Sequence, residues 1–91
     1  MNSTNRFRSL AKDAIMQIES DTHGCKVTHE DIEVSYMSFV SGYMKAEFVI
    51  PKKAKDRRYI ASYIPTSDSM YVDEFRMSLE GTKVVKVGLG D

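Results

Sequence analysis

Phe7, Leu10, Ala11, Ala14, Ile15 and Ile18 recur at the three- and four-residue spacing of one helical face. This stripe predicts an N-terminal amphipathic helix. Ser3, Thr4 or Asn5 is placed to cap its start, because a short side-chain oxygen can accept a bond from an unpaired backbone N–H. Gly24 is placed to stop it in the left-handed conformation. The period then changes to two. Residues 32–40 and 43–50 flank Ser41-Gly42, a pattern that predicts a β-hairpin. Closing it there sets Val40 against Tyr43, Phe39 against Met44, Met37 against Ala46 and Ser35 against Phe48. One face would carry Met37, Phe39, Met44, Ala46, Phe48 and Ile50 and pack on the helix. The other would carry Val34, Tyr36, Ser38, Tyr43, Lys45 and Glu47 and stay wet.

Pro51 ends the second strand, since it cannot donate to a ladder. Lys52 to Arg57 reads as a basic loop, and Arg58 to Ile64 as a third strand stopped by Pro65. Residues 66–80 fit two periods. A helix capped by Thr66 or Ser67 would carry Tyr71, Val72, Phe75 and Leu79. A strand would alternate Phe75, Met77 and Leu79 with Arg76 and Ser78. In the strand case, a turn at Glu80-Gly81-Thr82 would set Met77 against Val85 and Phe75 against Val87. Residues 83–89 read as a last strand either way. The expected fold is therefore α+β: an antiparallel sheet with the N-terminal helix on one face, in the order α-β-β-β-(α or β)-β.

The chain has 91 residues, with 42% hydrophobic and 29% charged. That length suits a single domain, residues 1–91, with a thin core. No apolar run approaches the ~20 residues of a membrane span, and Met1 to Arg8 lacks the apolar core of a signal peptide. One cysteine, Cys25, cannot form an intramolecular disulfide, which suits a reducing compartment. A protein of the cytoplasm is the expectation.

Net charge is zero, with 13 basic and 13 acidic residues, but the signs are segregated. Arg6, Arg8 and Lys12 open the chain. An acidic stretch follows (Asp13, Glu19, Asp21, Glu30, Asp31, Glu33). A basic stretch comes next (Lys45, Lys52, Lys53, Lys55, Arg57, Arg58). Blocks of this kind steer and select partners more than they shape a fold. Tyr36 and Tyr43 fall near Lys45, and Tyr59 and Tyr63 share a face of the third strand near Arg57 and Arg58. Rigid aromatics beside cations suit both protein hot spots and nucleobase stacking. The same tyrosines also suit a core that lacks tryptophan.

His23, Cys25 and His29 form one loose cluster, not the two spaced pairs of a structural zinc site. No Gly-rich phosphate loop, HExxH motif or nucleophile elbow occurs. The expectation is a non-enzymatic protein without cofactor or metal. The short free-standing length, the polar Met1-Asn2-Ser3-Thr4-Asn5 start, the helix-plus-sheet order and the Lys52 to Arg58 segment without catalytic motifs together resemble the small phage-encoded inhibitors of the anti-CRISPR kind. That resemblance implies a stoichiometric blocker that docks on a bacterial nucleoprotein complex in the host cytoplasm. Its basic residues would contact guide RNA or the acidic surroundings of a DNA-binding channel. Zero net charge departs from inhibitors that mimic a DNA duplex. The expected contact residues are Lys45, Lys52, Lys53, Lys55, Arg57, Arg58, Tyr43 and Tyr59, and Asp13, Glu19, Asp21, Glu30 and Asp31 form a second, acidic candidate patch. The alternative expectation is a small regulator that binds nucleic acid directly with the basic loop and the sheet tyrosines. A further reading is a subunit that dimerises through an exposed edge strand.

Overall fold

The computed structural model describes residues 3–78 and 81–87. Helix α1 runs from Ser3 to His23, and a 3-10 turn at His29–Asp31 precedes the sheet. Among the described residues the sheet has five antiparallel strands in sequence order: β1 (Glu33–Val40), β2 (Tyr43–Ile50), β3 (Ala54–Ile64), β4 (Ser69–Ser78) and β5 (Gly81–Val87). The expected α+β architecture is the observed one.

The helical stripe is the core side of α1. Phe7, Ala11, Ile15 and Ile18 are buried, with Leu10, Ala14 and Met16 partly so. The helix is described from Ser3 onward, so Thr4 and Asn5 lie within it and do not cap its start. At the other end Gly24 does adopt positive φ (60°). The Gly24 N–H donates to the Ser20 carbonyl at 3.2 Å, and the Cys25 N–H to the Glu19 carbonyl at 2.9 Å, so carbonyls of the last turn gain partners.

The first hairpin closes at Ser41-Gly42, with Gly42 at φ 87° and Val40, Phe39 and Met37 opposite Tyr43, Met44 and Ala46. One expected pairing is corrected. A β-bulge at Ser35 puts Val34, not Ser35, opposite Phe48. Val34 thereby turns from the wet face to pack against the core, and Ser35 turns out, where its hydroxyl donates to Glu47 Oε2 at 2.8 Å. Met44, Ala46, Phe48 and Ile50 are all buried, whereas Phe39 on the same face lies beyond the cover and is 64% exposed.

The basic segment is not a loop along its whole length. β3 begins at Ala54, which is buried opposite Ile50. Val49 already faces Arg58, so Lys55-Asp56-Arg57 form a large bulge on β3. Residues 69–78 resolve as a strand. Val72 and Glu74 point inward and are buried, while Tyr71 is exposed, which is a period of two. A helix there would have left the second edge of β3 unpaired. The β4–β5 register also differs from expectation, with Met77 opposite Thr82 and Phe75 opposite Val84. The shift accompanies the direct pairing of Ser78 with Gly81. Leu79 and Glu80 lie outside the described residues.

Candidate functional site

Strand alternation divides the expected contact residues between two faces. On β3, Arg57, Tyr59, Ala61 and Tyr63 point toward the helix, and Arg58, Ile60, Ser62 and Ile64 point away. The inner face therefore receives two of the residues grouped as surface contacts. Tyr59 is fully buried, and the Arg57 side chain is 14% exposed.

These two residues belong to a polar network inside the core. The Arg57 guanidinium donates to both oxygens of Glu19, from Nε to Oε2 at 2.8 Å and from Nη2 to Oε1 at 2.7 Å. This two-pronged pair fits the planar fork of arginine. The Tyr59 hydroxyl donates to Glu19 Oε2 at 2.5 Å and also lies 3.1 Å from Glu74 Oε1. Glu74 is paired in turn with Arg76, and its Oε1 lies 3.0 Å from His23 Nε2. Both glutamates are fully buried. Two guanidinium groups thus balance two carboxylates, and a phenol lies between them.

Burial pushes the Glu19 carboxyl up, but the Arg57 and Tyr59 hydrogen bonds pull it further down, so it ends below the usual range. Burial raises Glu74 too, and Arg76, His23 and Tyr59 together bring it below. Both are ionised at neutral pH and accept only. His23 Nε2 must then carry a proton to bond Glu74. Burial first, and then the Glu19 carboxylate, hold the Tyr59 hydroxyl far above its ordinary range, so it stays a donor.

A carboxylate whose folded pKa is lowered stabilises the fold above its unfolded value, 4.5 for glutamate, and that stability is lost as pH falls through the folded value. Urea midpoints measured from pH 7 to pH 3 should therefore hold down to about pH 5 and then decline. In Glu19→Gln the decline should be visibly shallower. A midpoint unchanged at pH 3 would contradict this account of the network.

The remaining expected contacts are spread over the surface. Lys53 is tied to Asp31 at 2.9 Å and to the Lys26 carbonyl at 3.1 Å, and this bond from Lys53 is the chief reason the Asp31 carboxyl is lowered. Lys52 and Lys55 are exposed near the β2–β3 connection. Tyr43, Lys45 and Arg58 share the outer face of the sheet, Tyr43 and Lys45 as neighbours on β2 and Arg58 two rows further along, opposite Val49. The register sets Ser38, Lys45, Ser62 and Tyr71 in one row across four strands, and Tyr36, Glu47, Ile60 and Asp73 in the next. Val49, Arg58 and Phe75 form a third row. Arg58 Nη1 lies 3.7 Å from Glu47 Oε1. Tyr36, Tyr43 and Tyr71 are 45%, 36% and 51% exposed.

No family model, curated protein or solved structure matches this chain.

The acidic candidate patch is likewise divided. Glu19 is inside, Asp31 holds Lys53, Asp13 meets His29 Nε2 at 2.6 Å, and Asp21 accepts from Gln17 at 2.6 Å. Glu30 is exposed. His23 and His29 are engaged at opposite places, one with Glu74 and the other with Asp13. Among the described residues no group of three or more His, Cys, Asp or Glu is arranged to hold a metal. No helix among them is long and apolar enough to cross a membrane.

Sequence reasoning missed two sets of residues. Tyr71 and Phe75 were hidden by the ambiguous period of residues 66–80, and pairing with β3 places them beside Lys45 and Arg58. The buried network did leave a signal. Glu19 stands four residues after Ile15 and eight after Ala11, on the apolar stripe itself. A carboxylate on such a stripe requires a buried cation, and Arg57 is that cation.

Proposed function

We propose that this protein acts by binding rather than by turnover, docking on a larger partner through the open face of its sheet and blocking it. The observation that carries this reading is the pairing of one filled face with one open face. The helix and the segment after it cover the inner side. The outer side presents Tyr36, Tyr43 and Tyr71 around Lys45, with Ile60 in the next row and Arg58 beside Phe75 in the row beyond. Half-exposed tyrosines on a rigid sheet cost little side-chain entropy to bury, and central aromatic anchors dominate interface energy. The cations would add orientation and encounter rate more than affinity. The overall resemblance to anti-CRISPR inhibitors supplies the partner class: a bacterial nucleoprotein complex whose nucleic-acid binding or activation the protein would obstruct.

Direct nucleic-acid binding is the second reading, favoured by the tyrosines around Lys45 and by Phe75 opposite Arg58. It is weakened because Arg57 is engaged in the core by Glu19 and Lys53 is paired at the surface with Asp31. Tagged protein should retain a multi-subunit complex from bacterial lysate. Tyr43→Ala/Tyr71→Ala, which leaves the core untouched, should lower retention by 10-fold or more, as loss of anchor residues does. Retention that the double substitution does not change would overturn the assignment of the face. Tight binding of free RNA or DNA that weakens steeply with salt would favour the second reading.

A further inference from the structure

Among the described residues β1 is an edge of the sheet, paired on one side only, by β2. Edges normally carry a charge, a proline or a bulge that discourages another strand from adding. On β1 those devices occupy one end: Glu33 is charged and the bulge falls at Ser35. From Tyr36 to Val40 the sequence is Tyr-Met-Ser-Phe-Val, without charge or proline. The same segment carries two of the large exposed apolar side chains, Tyr36 at 45% and Phe39 at 64%.

The hairpin fixes which backbone groups are available. In a two-residue turn the closing pair exchanges both hydrogen bonds, so Val40 bonds Tyr43 and the alternation continues along the strand. Met37 and Phe39 therefore turn their N–H and C=O groups away from β2. Their side chains point to the inner face, where Met37 is half-buried and Phe39 protrudes past the cover of the helix.

We propose that a second copy of this chain adds to this edge, β1 to β1, antiparallel about a two-fold axis at Ser38. In that register Met37 and Phe39 of one copy exchange backbone hydrogen bonds with Phe39 and Met37 of the other. Each Phe39 ring meets a methionine thioether, a favourable contact. Ser38 meets Ser38 on the outer side, and no like charges oppose. The segment is its own complement, which an isologous interface requires, and this selects a second copy over an unrelated peptide. The product is one continuous sheet in which the outer faces of both copies lie side by side. The inference stands independently of what that face binds.

Sedimentation equilibrium of the full chain up to about 1 mM, the weak end of specific association, should show a monomer–dimer equilibrium. Phe39→Lys, a change at an exposed position that leaves the β2 ladder intact, should shift it toward monomer by 10-fold or more. In a Cys25→Ala background, Ser38→Cys should oxidise to a covalent dimer. Residues facing each other at a non-hydrogen-bonded antiparallel pair stand about 4.5 Å apart at Cα, within disulfide reach. Ser62→Cys, in the middle of the outer face, is the control and should crosslink at least 10-fold more slowly. A chain that stays monomeric at about 1 mM, a dimer indifferent to Phe39→Lys, or equal crosslinking at positions 38 and 62 would each overturn the proposal.

Discussion

Arg57→Ala is expected to destabilise the protein by about 3–5 kcal/mol, the usual cost of removing one member of a buried ion pair. The reason is the carboxylate left behind. Glu19 is fully buried on the helix, and both its oxygens accept from Arg57. Without the guanidinium, the Tyr59 hydroxyl is its remaining hydrogen-bond donor within the network. Domains of this size stand only roughly 5–15 kcal/mol above the unfolded state, so the loss would be a large part of the total. The variant should also respond to acid in the opposite sense. An unpaired buried Glu19 has a folded pKa above its unfolded value, and this penalty is relieved as pH falls through the folded value. The gap between wild type and Arg57→Ala in urea denaturation should therefore narrow between pH 7 and about pH 4.5. Glu19→Leu/Arg57→Leu should recover much of the stability at pH 7, because an apolar pair leaves no charge uncompensated. A single Arg57→Ala loss below about 1 kcal/mol would mean that water already reaches Glu19.

Phe7→Ala is expected to cost a similar amount, about 3–5 kcal/mol, by a different mechanism. Phe7 is fully buried where the start of the helix meets the sheet. Its ring stacks on Tyr63 at 5.9 Å and meets Phe48 edge-on at 6.3 Å. Truncation removes both ring contacts and leaves a cavity between elements that cannot close together, because β2 and β3 are held by their ladder. Tyr63 is also tied by its hydroxyl to Asp68, which pairs with Arg6 at 3.1 Å. The ring is thus held from behind and cannot tip into the space. The loss should be independent of pH between 5 and 8, in contrast to Arg57→Ala, and Phe7→Leu should restore more than half of it. Thermal midpoints are the direct measure, since each kcal/mol corresponds to about 4–8 °C in a domain of this length. A midpoint shift of less than about 5 °C for Phe7→Ala would place the core elsewhere.

The two variants report on the two kinds of residue that meet under the helix. How far each could be read from the chain differs for a physical reason. Phe7 belongs to a stripe whose spacing is local, and the same spacing predicts its burial without knowing what covers it. Glu19 stands on the same stripe, but its partner lies 38 residues away. Whether Arg57 turns in or out depends on the bulge at Lys55-Asp56-Arg57, which is a property of strand pairing. The sequence contains Arg57 and Arg58 side by side in one basic run. Alternation sends the first to Glu19 and the second to the outer face beside Glu47. Tyr59 and Tyr43 part in the same way.

Local periodicity was enough to determine the helix, the first hairpin and its turn at Gly42, and the sheet that receives the helix, because each depends on contacts close along the chain. It could not decide whether residues 69–78 form a strand or a helix, since both periods fit and only the open edge of β3 favours the strand. Nor could it place the bulge at Ser35, the register of β4 against β5, or the division of the basic run between core and surface. Those depend on pairing between distant segments, where a single extra residue turns every following side chain to the other face.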